Sequence, residues 1–220
     1  MKHSNKDLTH ISIILDRTGS MDEIREDTIG GFNAFLKEQQ ALPDKATMSL
    51  IQFDTQDPYE VIHHFKPIGE ISLLTAQTYV PRASTPLLDA IGRGINDLES
   101  ALEKMKPAER PANVVMVIIT DGQENSSREF GKHQIVKMIK AKQDKGWQFV
   151  YLSADLDSIN DAMEYGMHAH ATMAFEKSQA GTQQMWSSSS KALARFRTNK
   201  SESVFFDEED RTDEPKQSSE

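Results

Sequence analysis

The sequence predicts an α/β domain: a doubly wound, mainly parallel six-stranded sheet with one antiparallel hairpin strand and helices on both faces. Three observations lead there. Short, apolar, β-branched runs alternate along the chain with longer segments of helical period. One run, residues 113–119 (NVVMVII), is apolar at every position after Asn113, the pattern of a strand covered on both faces. The second and third runs are separated by a stretch containing TQDP, a turn signal that makes them a hairpin.

The strands are expected at residues 9–15, 47–53, 59–65, 113–119, 147–152 and 169–174. The clearest helix covers residues 86–105, where Leu87, Leu88, Ile91, Ile95, Leu98, Leu102 and Met105 recur at three and four residues. Thr85-Pro86 ahead of it reads as an N-cap followed by proline at the first helical position. Residues 22–40 repeat Ile24, Thr28, Ile29, Phe32, Phe35 and Leu36 in the same way. Shorter helices are expected at 131–145 and 156–165. A weaker one at 178–197 has Met185, Ala192, Leu193 and Phe196 on its apolar side. The expected organisation is a core at 1–175, a C-terminal helix at 176–197 packed on or extending it, and an acidic, disordered tail at 198–220.

Bulk composition narrows the function. Of the nine net negative charges on 220 residues, five lie in residues 207–220, which hold seven acids and two bases. The remaining balance is still acidic and argues against nucleic acid as the main partner, since phosphate binding needs a basic face. The absence of cysteine removes disulfides, thiolate metal sites and thiol nucleophiles, and suits a reducing compartment. The polar first ten residues lack a signal-peptide core, and no apolar run approaches the roughly 20 residues of a membrane span. The expectation is a soluble cytoplasmic protein without a membrane partner.

Open α/β sheets bind ligands at the carboxyl ends of their strands. After the first strand stand Asp16, Thr18 and Ser20; after the fourth, Thr120, Asp121 and Gly122; before the long middle helix, Ser84-Thr85-Pro86. These are oxygen donors only, two of them carboxylates, a set that suits a hard cation. The two-residue spacing of Asp16, Thr18 and Ser20 lets a loop curl round one centre, and Gly19 permits tight backbone there. With few charged ligands, a coordination position is left for an outside oxygen. Helix N-termini near Ser20 and Thr85 add positive field, which favours an incoming carboxylate from another protein.

Asp16-Arg17-Thr18-Gly19-Ser20, Thr85 in STPLLDAI and Asp121 in IITDG resemble, in order and spacing, the metal-ion-dependent adhesion site of von Willebrand factor A domains. Gly30-Gly31-Phe32-Asn33 also resembles that family, and the likeness spans residues 7–175. It implies a Rossmann-like sandwich whose sheet top holds Mg²⁺ (or Mn²⁺ or Ca²⁺) and, through it, an acidic residue of a partner protein. It assigns hydroxyl ligands to Thr18, Ser20 and Thr85 and carboxylate ligands to Asp16 and Asp121, the carboxylates often acting through water. Thr18 departs from the family's first serine; its methyl narrows the loop. In size the chain resembles short bacterial and phage members, including those near tellurium-resistance systems.

Three functions compete. A metal-dependent protein-binding module, not an enzyme, uses every part named above. A haloacid-dehalogenase-like phosphohydrolase would make Asp16 the nucleophile, with Asp155 and Asp157 as the further acids, but gives Thr85 no role. A scaffold could keep the fold without metal, with Thr85 and Ser20 as plain helix caps. Asp22 and Glu124 are expected as solvated acids or supports beside the site. Gln123, Asn125 and Ser126 are expected on its rim. Adjacent strand residues His63 and His64 face opposite sides and cannot share an ion. His168 and His170 lack further ligands nearby. Val204-Phe205-Phe206, beside the acidic end, is either a docking peptide or part of a solubilising tail.

Overall fold

The structure, a computed structural model, describes residues 5–211. Six strands form one sheet: β1 (Asn5–Asp16), β2 (Lys45–Phe53), β3 (Glu60–Pro67), β4 (Pro111–Thr120), β5 (Gln148–Ser153) and β6 (Thr172–Ala174). Their order is β3-β2-β1-β4-β5-β6. All neighbours are parallel except β2 and β3, which pair antiparallel as the TQDP turn demands. Five helices follow the expected segments: α1 (Arg25–Gln40), α2 (Leu87–Lys104), α3 (Lys132–Gln143), α4 (Leu156–Glu164) and α5 (Gln179–Arg197). Among the described residues, no helix is long and apolar enough to cross a membrane.

Strand alternation divides the core into two layers. Ile11, Ile13 and Leu15 of β1 and Val115, Val117 and Ile119 of β4 face α1 and α5. Ile14, Met116 and Ile118 point the other way, against α2, α3 and α4. The unbroken apolar run in β4 is therefore explained by helices on both sides. Gly31 lets α1 approach α5: a Cβ there would lie 2.0 Å from the Trp186 ring, whereas one on Gly30 would meet open space. Asn33, in the same motif, clamps a long loop, donating to the Leu74 carbonyl at 2.9 Å and accepting from the Leu74 N–H at 2.8 Å.

Two expectations at segment ends are corrected. Pro86 is the residue before the first turn of α2, and Thr85 makes no side-chain capping bond; Ser20 caps nothing either, because it lies inside a 3₁₀ turn, Gly19–Ile24, that precedes α1. Residues 198–211, expected to be disordered, fold back on the domain. Val204 and Phe206 are buried in the α1/α5 layer, and the Phe206 N–H donates to the His170 carbonyl at 2.8 Å. Arg195 pairs with Asp210 at 3.0 Å, and Arg211 donates to the Thr172 carbonyl at 2.6 Å. Apolar residues at two-residue spacing are enough to fix an extended segment with one face inward. Residues 212–220 of the expected tail lie outside the described residues.

The order of strands reverses between β1 and β4, since β2 and β3 extend one way and β5 and β6 the other. That switch point opens a crevice at the carboxyl ends of β1 and β4, where Asp16 and Asp121 stand.

Gly31→Ala should cost about 1–3 kcal/mol by overpacking against Trp186, while Gly30→Ala should gain up to about 1 kcal/mol from helix propensity. Urea midpoints at unchanged slope measure both. His10 gives a pH test. It is fully buried, stacked on Phe65 at 3.7 Å and bonded to Thr47 at 2.9 Å. Burial, with help from His64, pushes it down to about 3. An unfolded histidine protonates near about 6.5, so the unfolded state binds the extra proton between these values and stability falls as pH drops through that window. Between about pH 7.5 and about pH 5, His10→Gln should lose about 2 kcal/mol less stability than the parent chain.

Candidate metal centre

β1 delivers Asp16 to the rim and the chain turns at once. The Asp16 side chain is fully buried. One carboxylate oxygen accepts the Thr18 N–H at 2.7 Å, the other the Thr120 hydroxyl at 2.6 Å. The Asp16 carbonyl accepts the buried Tyr79 hydroxyl at 2.6 Å. The Thr18 and Ser20 hydroxyl oxygens lie 3.3 Å apart, and Ser20 donates to Asp121 Oδ1 at 2.7 Å. The turn is braced from outside by the β3–α2 connection: Gly19 N–H bonds the Ala83 carbonyl at 3.0 Å, and Arg82 N–H bonds the Arg17 carbonyl at 2.8 Å. The tight backbone expected at Gly19 is not found: its φ is not in the left-handed region, and a Cβ there would stand 3.4 Å from the Ala83 carbonyl oxygen, an ordinary contact.

Four of the five expected ligands are thus brought together. Thr85 joins them through backbone only. It is buried, donates its N–H to Asn125 Oδ1 at 3.0 Å and accepts the Asn125 N–H at 3.2 Å, in the loop that follows Asp121. Among the described residues no hydrogen bond links its hydroxyl to Asp16, Thr18, Ser20 or Asp121. Neither Thr85 nor Ser20 is used as a helix cap; the Ser20 hydroxyl is turned to Asp121 and Thr18 instead.

Electrostatics points the same way. Burial pushes Asp16 up to about 7, against the hydrogen bonds from Thr120 and Thr18. Among the described residues no basic side chain pairs with it. Neighbouring oxygens round a six-coordinate Mg²⁺ lie about 2.9 Å apart for bonds of roughly 2.0–2.1 Å, and the Thr18–Ser20 and Ser20–Asp121 separations bracket that value. A buried carboxylate without a counter-ion, ringed by hydroxyls at such spacing, fits a hard divalent cation. Among the described residues no group of three or more histidines and carboxylates could hold a metal. This site has two carboxylates, and hydroxyls make up the rest of its donors.

Arg17, at the centre of the turn, points away from the site. It donates to Asp54 at 2.7 Å and pairs with Glu60, while Arg82 reaches the same Asp54 oxygen at 2.9 Å. The cation in the turn therefore locks the loop to the end of β2. The other cation does approach: Lys177, between β6 and α5, lies 3.0 Å from Asp121 Oδ2 and 3.0 Å from Glu23. Its pKa is raised, because contacts with Asp121 and Glu23 outweigh the burial that would lower it.

The other candidates have structural employment. Glu124 accepts the Leu88 N–H at 2.9 Å at the start of α2 and the N–H groups of Ser126 and Ser127. Asp155 caps α4 through the Ser158 N–H at 2.8 Å. Asp22 is exposed. His63 is buried and His64 pairs outside with Asp97 at 3.3 Å, on opposite sides as expected. Sequence reasoning missed Tyr79, Lys177 and the partners of Arg17. Tyr79, Lys177 and Asp54 sit in loops without periodicity and Glu60 at the first position of β3, where no local signal tells a working residue from a surface one.

No family model matches the chain, and no curated protein matches it in sequence. Solved structures do match in shape. The pilus adhesin SpaC from Lactobacillus rhamnosus GG matches with a TM-score of 0.65 at 15% identity, over 87% of this chain and 30% of that one. A von Willebrand factor type A protein from Catenulispora acidiphila matches at 0.55 and 12% identity, over 86% and 43%. The fold is of the von Willebrand factor A type. Proximal thread matrix protein 1 from the mussel byssus, solved with a zinc-occupied MIDAS motif, matches this A-type fold at 0.56 and 14% identity, over 87% and 47%. The chain spans less than half the length of each of these structures. At such identities the likeness to A-type domains is one of fold.

Asp54→Ala should cost about 1–3 kcal/mol, because the buried Arg17 guanidinium loses its Nε acceptor and keeps Glu60, while Arg82 loses its partner as well; Arg17→Met should cost less, since Arg82 still neutralises Asp54. Chemical denaturation of the two variants measures the order.

Proposed function

We propose that the chain is a divalent-cation-dependent protein-binding module and not an enzyme. In this reading Asp16, Thr18, Ser20, Thr85 and Asp121 hold Mg²⁺, or Mn²⁺ or Ca²⁺ in its place, at the β1/β4 rim. The observation that carries it is the buried Asp16 carboxylate, with no basic partner among the described residues, next to hydroxyls that cap no helix. Bound there, a cation supplies a Lewis-acidic position for a carboxylate oxygen of a partner protein.

The chain's own groups then have distinct tasks. Thr18 N–H and Thr120 hydroxyl fix the Asp16 carboxylate in orientation. Ser20 spans the gap between the β1 turn and Asp121. The Asn125 clamp holds Thr85 beside the same rim. A polar cleft of about 590 Å³, lined by Ser84, Pro86 and Asn125, opens next to Thr85 and offers room for a partner segment. The expected setting remains the cytoplasm, the core module residues 1–175 with α5 packed on it, and the kinship that with short bacterial and phage members of the tellurium-resistance-associated type. The phosphohydrolase alternative is disfavoured by Asp16 itself. Its carboxylate oxygens are held by the Thr18 N–H and the Thr120 hydroxyl, and of the two further acids that reading needs, Asp155 is engaged as the cap of α4.

The test combines metal binding with capture. Mn²⁺ or Mg²⁺ should raise the unfolding temperature of the full chain, and chelator or Asp121→Ala should remove the increment while the circular dichroism of the fold persists. A binding partner captured with cation should be lost with chelator. Capture indifferent to both treatments supports the metal-free scaffold instead. Turnover of a generic phosphate ester that disappears in Asp16→Asn would establish the hydrolase.

A further inference from the structure

The loop between β6 and α5 brings one cation to the candidate centre. Lys177 Nζ lies 3.0 Å from Asp121 Oδ2, and the Asp121 side chain is fully buried. Asp121 uses its other oxygen to accept from Ser20. The lysine is tethered closely: Phe175, two residues before it, is buried and bonds the Ser153 carbonyl at 3.0 Å; Ser178, the next residue, caps α5 through the Gly181 N–H at 3.2 Å. A second carboxylate shares the ammonium, Glu23 in the turn after Ser20, which is 70% exposed where Asp121 is not. Lys177 itself keeps 29% of its side chain in solvent, so it has room to move.

We propose that Lys177 is a built-in competitor for the divalent cation. It neutralises Asp121 while the site is without metal, and is handed to Glu23 when a cation binds. This rests on the cation-binding reading of the site and adds a regulator to it. The physics fixes the sign. A positive charge on a ligand carboxylate opposes a divalent ion whether the lysine departs or stays, because like charges repel strongly where water is excluded. The chain thereby sets a threshold: weak or dilute cations fail to displace the tethered ammonium, and Asp121 stays paired with the lysine. The handover also couples metal occupancy to the start of α5, since Lys177 immediately precedes its cap.

Calorimetric titration of Mn²⁺ into the chelator-stripped full chain tests this. Lys177→Met should tighten Mn²⁺ binding about tenfold, and Lys177→Gln, a second neutral variant in case the first folds poorly, should do the same. Lys177→Arg, which keeps the charge, should stay close to the parent. Glu23→Gln should weaken Mn²⁺ binding more in the parent than in the Lys177→Met background, because only the parent needs a place to put the lysine. If the parent binds Mn²⁺ and neither neutral variant binds more tightly, the competitor role is overturned and the cation site stands. If neither the parent nor the neutral variants bind Mn²⁺, both fall. Binding seen only in the neutral variants supports the proposal in its strongest form.

Discussion

Everything at the functional end of this molecule follows from one constraint: a carboxylate is buried at the point where the sheet's strand order reverses. Asp16 has nowhere to exchange its two acceptors with water, and the chain answers with an N–H from Thr18 and a hydroxyl from Thr120. Those bonds lower the cost of the charge without cancelling it, which is why the group is pushed up to about 7. The rest of the rim is arranged round that residual deficit. Tyr79 pins the Asp16 carbonyl, the Arg82–Ala83 segment pins the turn, and Arg17 is drawn off to Asp54 rather than left to quench Asp16.

The sheet makes this arrangement rigid. β1 is the central strand, paired with β2 on one side and β4 on the other, and its Leu15 lies in the α1/α5 layer. Asp16 ends β1 and Asp121 is the first residue beyond β4, so the ladder between these strands, whose last pair is Leu15 with Ile119, carries both to the same rim. The hydroxyls from the turn and from the β3–α2 connection are less constrained individually. Each is nonetheless tied to the frame by backbone hydrogen bonds, Gly19 to Ala83 and Thr85 to Asn125.

How much of this was legible in the sequence varied with the kind of signal. Periodicity in residues 86–105 and unbroken apolarity in 113–119 gave α2 and β4 to within a few residues, because burial on one or both faces writes directly into residue spacing. The site's carboxylates and hydroxyls were visible because they follow strand ends. The capping role expected for Thr85 was not what the chain does: Pro86 stands immediately before α2, and Glu124, distant in sequence, supplies the acceptor for Leu88 instead. Long-range partners of that sort, like Lys177 on Asp121 or Arg17 on Asp54, leave no local trace. The segment after α5 was misjudged because its charge masks two inward-facing apolar side chains, Val204 and Phe206.

That returning segment has a consequence for the sheet. β6 is three residues long and forms the outer border next to β5. A border strand ordinarily offers unpaired backbone groups to any passing chain. Here the Arg211 guanidinium sits on the Thr172 carbonyl, and Phe206 occupies the His170 carbonyl just ahead of it. The chain has stitched part of its own hem: with one β6 carbonyl and the carbonyl two residues ahead of β6 already taken, less of that border is open for another strand to join.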